Sequence, residues 1–84
     1  MSDLKPKRAH IEIIAEILNL CRKPTAVTRI MHKTNTSYAA MQQFLTQLQK
    51  AKLLKLDNDT KEYETTEKGL EYIKRYSTLQ ELLK

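Results

Sequence analysis

The chain has few of the residues that interrupt or crosslink small proteins. Its 84 residues include one glycine, two prolines, one cysteine and no tryptophan. A lone cysteine excludes an internal disulfide, and a lone glycine excludes a glycine-rich phosphate-binding loop. No stretch approaches the roughly 18 apolar residues of a membrane span, and the first residues lack the apolar region of a secretion signal. We therefore expect a cytoplasmic protein without a membrane partner.

Signals of catalysis are absent as well. His10 and His32 have no cysteine or carboxylate neighbours at the spacing of metal ligands. The carboxylates form no recognisable pair for acid–base chemistry. Cys21 lies in an apolar helical stretch, which predicts a buried, reduced thiol rather than a nucleophile. We expect no enzymatic activity, no metal, no cofactor and no small-molecule substrate.

The composition favours one mostly helical domain, since 40% of the residues are hydrophobic and 30% are charged. A domain of this length buries only about 60% of the surface of its unfolded chain, so association would help its stability.

The charge is unevenly distributed along the chain. Residues 1–50 carry eight Lys or Arg against three Asp or Glu, whereas residues 51–84 carry seven of each. This asymmetry indicates a polyanionic partner, either nucleic acid or an anionic surface, although solubility alone would also account for it.

Apolar spacing predicts two helices in the first part of the chain. The first begins at Arg8 and turns four apolar residues inward: Ile11, Ile14, Leu18 and Cys21. Pro24 ends this pattern because it disfavours helical geometry at the residue before it. Thr25 is then expected to cap a short second helix, AVTRIMHK, and the polar residues 34–36 are expected to form a turn.

The third helix is the most regular. Ser37 is a good N-cap, and the inward stripe has i, i+3, i+4, i+7 spacing through Met41, Phe44, Leu45 and Leu48. Two short alternating runs around an Asn-Asp turn, from Leu54 to Thr65, then predict a β-hairpin. Thr66 is expected to cap a final helix, in which Gly69 allows close packing. Three helices and a hairpin before the last helix are the layout of a mainly α, winged helix-turn-helix domain.

The final helix has two apolar sides. Leu70 and Ile73 are predicted to turn inward, against the first helix and the hairpin. A second stripe has the 4-3-4 spacing of a coiled-coil seam and consists of Tyr72, Tyr76, Leu79 and Leu83. We expect this stripe to have no partner within its own chain. It therefore predicts a homodimer, to which the first helix adds contacts.

These segments together resemble a known family of small archaeal winged-helix DNA-binding proteins. The similarity is carried by TRIMHKTNTSYAAMQQFLTQLQKAKLL, by YETTEKGLEYIKRYSTLQELL and by EIIAEIL in the first helix. The resemblance implies chromatin-like or transcription-regulatory, nucleoid-associated DNA binding, and dimerisation through a C-terminal antiparallel coiled coil. Pro6 and the lysines of residues 1–7 predict a flexible basic arm, followed by a winged-helix DNA-binding domain at 8–66 and a C-terminal dimerisation helix at 67–84. Binding to double-stranded DNA is expected to be either sequence-tolerant or sequence-specific.

The third helix is the expected DNA-reading element, since glutamine can bond adenine in the major groove and lysine can reach guanine or phosphate. Basic residues outside it, including Lys5, Lys7 and Arg8 of the arm, are expected to contact phosphate. The predicted hairpin, which is the wing of this fold, is expected to contribute less to DNA binding than the third helix, because carboxylates outnumber lysines in it. The predicted DNA contacts from residue 29 onwards are Arg29, Lys33, Ser37, Ala39, Gln42, Gln43, Thr46, Gln47, Lys50 and Lys61. A protein-interaction winged helix without a DNA role remains the alternative.

Overall fold

The computed structural model describes residues 10–83. Its elements are α1 (His10–Leu20), β1 (Thr25–Ala26), α2 (Val27–Thr34), α3 (Tyr38–Lys50), β2 (Leu54–Asp57), β3 (Glu62–Thr65) and α4 (Glu67–Leu82). The predicted mainly α winged-helix fold is confirmed. The predicted arm at 1–7, with Lys5 and Lys7, and Arg8 beside it lie outside the described residues.

One core joins all four helices to the start of the hairpin. It is built around Ile17 and Leu18 of α1, Ile30 of α2, the four predicted residues of α3, Leu53, Leu54 and Ile73. The α3 stripe is confirmed, because Met41, Leu45 and Leu48 are almost fully buried and Phe44 nearly so. On α1, by contrast, Ile11 is 45% exposed and lies outside the core, contrary to prediction.

Two predicted helix caps are present. The Ser37 hydroxyl accepts a hydrogen bond from the backbone N–H of Ala40 at 3.2 Å. The Thr66 hydroxyl accepts one from the N–H of Gly69 at 3.1 Å. Each bond satisfies a donor that has no partner inside its helix, so both caps fix where α3 and α4 begin.

The prediction that Thr25 caps α2 was wrong. Ala26 occupies the N-cap position without a side-chain bond, and Thr25 lies in β1, where it pairs with Tyr63 of β3. Its hydroxyl instead donates to the carbonyl of Lys23 at 2.7 Å and lies 3.1 Å from the carbonyl of Leu20. The predicted hairpin of β2 and β3 therefore gains an edge strand, giving an antiparallel sheet of order β1-β3-β2.

The first half of α4 is part of the packed domain. Ile73 is 7% exposed and belongs to the core, as predicted, but Leu70 is 41% exposed, so its predicted inward position was wrong. Gly69 is buried against the turn that precedes β2. A Cβ at this position would collide with the carbonyl oxygen of Leu53 and the methyl of Thr65. The predicted role of Gly69 in close packing is thus confirmed.

Among the described residues, three have the left-handed backbone conformation that favours glycine. They are Asn35 (φ 54°), Lys52 (φ 67°) and Lys61 (φ 63°). Asn35 follows α2, Lys52 follows α3, and Lys61 closes the turn between β2 and β3. The single glycine is not among them, so this chain adopts the left-handed turns with asparagine and lysine.

Candidate nucleic-acid interface

The outward face of α3 carries polar groups opposite the buried stripe. Gln43, Thr46, Gln47 and Lys50 are exposed and Gln42 is half-buried. These five predicted residues line one open depression of about 430 Å³. Because the stripe on the other face is buried almost completely, the rotation of α3 about its axis is fixed and the amide groups are held outward. The helical spacing in the sequence therefore correctly predicted that these five side chains form one continuous surface on α3.

The start of α3 extends this surface by one turn. Ser37 and Ala39, both predicted contacts, are exposed there. Tyr38 lies between them and is 61% exposed, although sequence reasoning did not select it. The sequence feature that could have identified Tyr38 is its position directly after the N-cap residue and outside the apolar stripe, where an aromatic side chain is expected to be exposed. Burial, and then the Tyr38 phenol, raise the pKa of Tyr63 on β3.

The two predicted basic residues of α2 are exposed but are not part of the α3 depression. Arg29 and Lys33 lie one helical turn apart on α2. Lys33 lines a separate depression together with Glu16, Asn19 and Leu20. The side chain of Lys33 is therefore placed beside α1 rather than beside the amide-rich face of α3.

Lys61 lies at the tip of the wing, which we define as residues 54–65. Its N–H donates to the carbonyl of Asp57 at 2.7 Å. The Asp57 carboxylate accepts hydrogen bonds from the N–H groups of Asp59 and Thr60, at 2.8 and 3.2 Å. This bonding shapes a tight turn and leaves the Lys61 side chain exposed at the end of the hairpin.

The second apolar stripe of α4 is divided between the domain and solvent. Tyr72 is half-buried and packs against the core, so the expectation that it has no partner within the chain was wrong. Tyr76 is also half-buried and lines a groove between α1 and α4 with Ala15 and Ile73. Leu79 and Leu83 are 54% and 79% exposed. The uncovered part of the stripe is its C-terminal half.

Cys21 is fully buried, as predicted. Burial raises the pKa of its thiol to about 12, so the thiol stays protonated at neutral pH. Within residues 10–83, no three His, Cys, Asp or Glu side chains are grouped so that they could hold a metal ion. No helix of the described chain has the length and apolar character needed to cross a membrane.

Two packed helices joined by a tight turn, the second with a polar outward face, and a hairpin wing beside them define a winged helix-turn-helix domain. A family model described as "Winged helix-turn-helix" matches residues 7–84, and the chain belongs to this family. The crystal structure of Sso10a-2, a DNA-binding protein from Sulfolobus solfataricus, is similar, with 34% sequence identity and a TM-score of 0.74. The match covers 90% of this chain and 85% of that chain.

The resemblance to small archaeal winged helix-turn-helix proteins is thus confirmed. No curated protein sequence matches the chain.

Proposed function

We propose that this protein binds double-stranded DNA with the outward face of α3 in the major groove. The observation that carries the proposal is the exposed row of Gln43, Thr46, Gln47 and Lys50 on a helix whose opposite face is locked into the core. A glutamine amide can donate to and accept from adenine at once, and a major groove is wide enough for one helix.

Membership of a winged helix-turn-helix family and the similarity to Sso10a-2, which is described as a DNA-binding protein, support this assignment. The identity of 34% extends over most of both chains, so the comparison concerns the whole fold rather than one motif. Neither comparison identifies which side chains touch DNA. That part of the proposal depends on the geometry of α3.

Other predicted residues have supporting roles. Arg29 and Lys33 of α2 would contact phosphates and fix the position of the protein along the duplex. Ser37 and Ala39 would allow a close approach of the start of α3. Lys61 would supply a phosphate contact from the wing tip, which is otherwise acidic. Four carboxylates and two lysines lie between residues 55 and 64, so the wing adds less affinity than α3.

The protein would act as a homodimer through α4, in a chromatin-like or transcription-regulatory role in the cytoplasm. The exposed Leu79 and Leu83 support this, since a seam of 4-3-4 spacing becomes fully buried only against a second helix. An antiparallel pair of α4 helices would be two-fold symmetric. The two α3 helices would then lie at opposite ends of the assembly, positioned for separated DNA segments or half-sites.

Replacing Gln43 with alanine should weaken binding to a preferred site by about 1–3 kcal/mol and leave binding to random DNA unchanged, because only a base contact is lost. Fluorescence anisotropy with both duplexes measures the two affinities. Gln49→Ala is a matched control, since Gln49 lies on α3 but outside the depression. An equal loss on random DNA would exclude base reading by Gln43.

Arg29→Ala and Lys50→Ala should each weaken specific and random binding by similar factors. A phosphate contact carries no sequence information, and its loss should reduce the slope of log affinity against log salt by about 0.9. Titration at several salt concentrations gives this slope. If all of the Arg29, Gln43 and Lys50 variants bind duplexes as the wild type does, α3 is not the DNA surface.

A further inference from the structure

A group of basic residues lies at the end of the molecule where the wing begins. We call it the hairpin-base surface, and its members are Arg22, Lys23, Lys52, Lys68 and Lys74, all of them exposed. Backbone hydrogen bonds bring their segments together. The N–H of Thr65 donates to the carbonyl of Cys21 at 2.8 Å, and the N–H of Thr66 donates to the carbonyl of Leu53 at 3.0 Å. The basic residues are therefore far apart in sequence but grouped in space.

Side-chain hydrogen bonds and a shared groove also hold the segments of these basic residues close together. The ammonium of Lys68 donates to the carbonyl of Ala51 at 3.0 Å, one residue before Lys52. The hydroxyl of Thr66 donates to the carbonyl of Lys52 at 2.7 Å. Arg22 and Lys74 line one groove together with Leu70. The surface thus extends from the end of α3 to the first half of α4.

Few acidic groups offset these charges. Glu71 lies nearby, but the hydrogen bond from Arg75, at 2.8 Å, lowers the pKa of Glu71 and engages its carboxylate. Glu67 and Glu81 are the other two carboxylates of α4, and Glu81 lines the same groove as Arg22 and Lys74. Five basic residues of this surface thus stand against three acidic ones. The wing, by comparison, has four carboxylates and two lysines. The hairpin-base surface therefore carries a net positive charge, unlike the wing.

The backbone of Lys52 gives a second, independent observation. The N–H of Leu53 bonds the carbonyl of Leu48 at 2.9 Å, and the N–H of Lys52 bonds that of Gln49 at 3.0 Å. This is the Schellman arrangement, in which the left-handed position is usually glycine. Here it is lysine, with φ 67°. A side chain kept in a conformation that glycine adopts more easily points to a role for that side chain.

We propose that the hairpin-base surface binds backbone phosphates of DNA and adds a sequence-independent contact outside the stretch that α3 reads. The inference rests on the proposed DNA binding. The paired strands are four residues long, so the surface lies roughly 10 Å from the turn that holds Lys61 and forms a contact separate from the wing tip. Each phosphate that it neutralises releases a counterion, which raises affinity most strongly at low salt.

The variant Lys52→Gly removes the positive charge without straining the backbone, because glycine adopts the left-handed conformation easily. It therefore tests the effect of the charge on binding apart from any effect on stability. Its melting temperature should equal that of the wild type or exceed it by a few degrees, on the order of 4 °C. Its affinity for random duplex DNA at low salt should nevertheless fall roughly five- to tenfold, and the salt slope should decrease by about 0.9. Lys55→Gln is the charge-matched control, since it also removes one positive charge but lies on the wing, outside the hairpin-base surface, with its ammonium 3.9 Å from the Glu64 carboxylate.

The triple variant Lys52→Gly, Lys68→Gln, Lys74→Gln should lower the salt slope by about 2–3 and the low-salt affinity on the order of 100-fold. The ratio between specific and random binding should stay constant. Unchanged slopes in both variants, together with weaker binding by Lys50→Ala, would overturn this inference and leave the proposed function intact. A wild-type protein that binds no duplex would overturn both.

Discussion

Replacement of Gly69 by alanine is expected to destabilise the protein by about 2 kcal/mol or more. The new methyl group would meet the Leu53 carbonyl oxygen and the Thr65 methyl. That carbonyl also accepts the N–H of Thr66, so it cannot move aside without weakening the junction that begins α4. Overpacking of this kind costs about 1–3 kcal/mol and sometimes more, which outweighs the gain of up to about 1 kcal/mol in helix propensity.

Thermal unfolding followed by circular dichroism measures this effect. For a domain of this size, 2 kcal/mol corresponds to a decrease of roughly 8–16 °C in melting temperature. Ser77→Ala is the control, since Ser77 is exposed in the interior of the same helix and its replacement should change stability by less than about 0.5 kcal/mol. A Gly69→Ala protein as stable as the wild type would mean that α4 can move away from the hairpin at no cost.

Replacement of both Leu79 and Leu83 by aspartate is expected to convert the proposed dimer into a monomer. Full burial of one leucine contributes about 1.5–3 kcal/mol, so four leucines from two copies contribute at most roughly 6–12 kcal/mol. Association costs an estimated 4–15 kcal/mol. The leucines alone are therefore marginal, and the proposed dimer would also need contacts from Tyr76 and from the groove beside α1. Four aspartates in that seam should abolish it.

Sedimentation velocity at tens of micromolar and above distinguishes the two states. The double variant Lys74→Gln, Thr78→Asp is the matched control, because it lowers the charge of α4 by the same two units at exposed positions outside both the 4-3-4 stripe and the groove beside α1. It should remain dimeric. A monomeric wild-type protein would contradict the proposed dimer. So would a Leu79→Asp, Leu83→Asp protein that sediments with twice the mass of one chain.

The parts of the fold that depend on neighbouring residues were predictable from the sequence. The caps at Ser37 and Thr66 and the inward stripe of α3 each depend on residues within two helical turns, so spacing and residue type were sufficient. The outward face of α3 followed as the complement of that stripe. This is why five of the predicted residues lie in one depression.

The parts that depend on distant pairing were not predictable. Thr25 is a suitable cap by residue type, but its pairing with Tyr63, far along the chain, places it in a strand. Leu70 and Ile73 are both apolar, and only the packing of α4 against the rest of the core determines that Ile73 is the one covered. The hairpin-base surface was also invisible in the sequence, because the second half of the chain has no net charge and the grouping of lysines arises only on folding.

The central claim is that this winged helix holds duplex DNA, and the salt dependence of binding by the wild-type protein tests it most directly. Anisotropy of a labelled duplex should be titrated with protein at several concentrations between about 50 and 200 mM salt. We predict saturable binding whose log affinity falls linearly with log salt, through release of counterions from the phosphates. The absence of saturable binding at low micromolar protein and low salt would contradict the claim and favour a protein-interaction module.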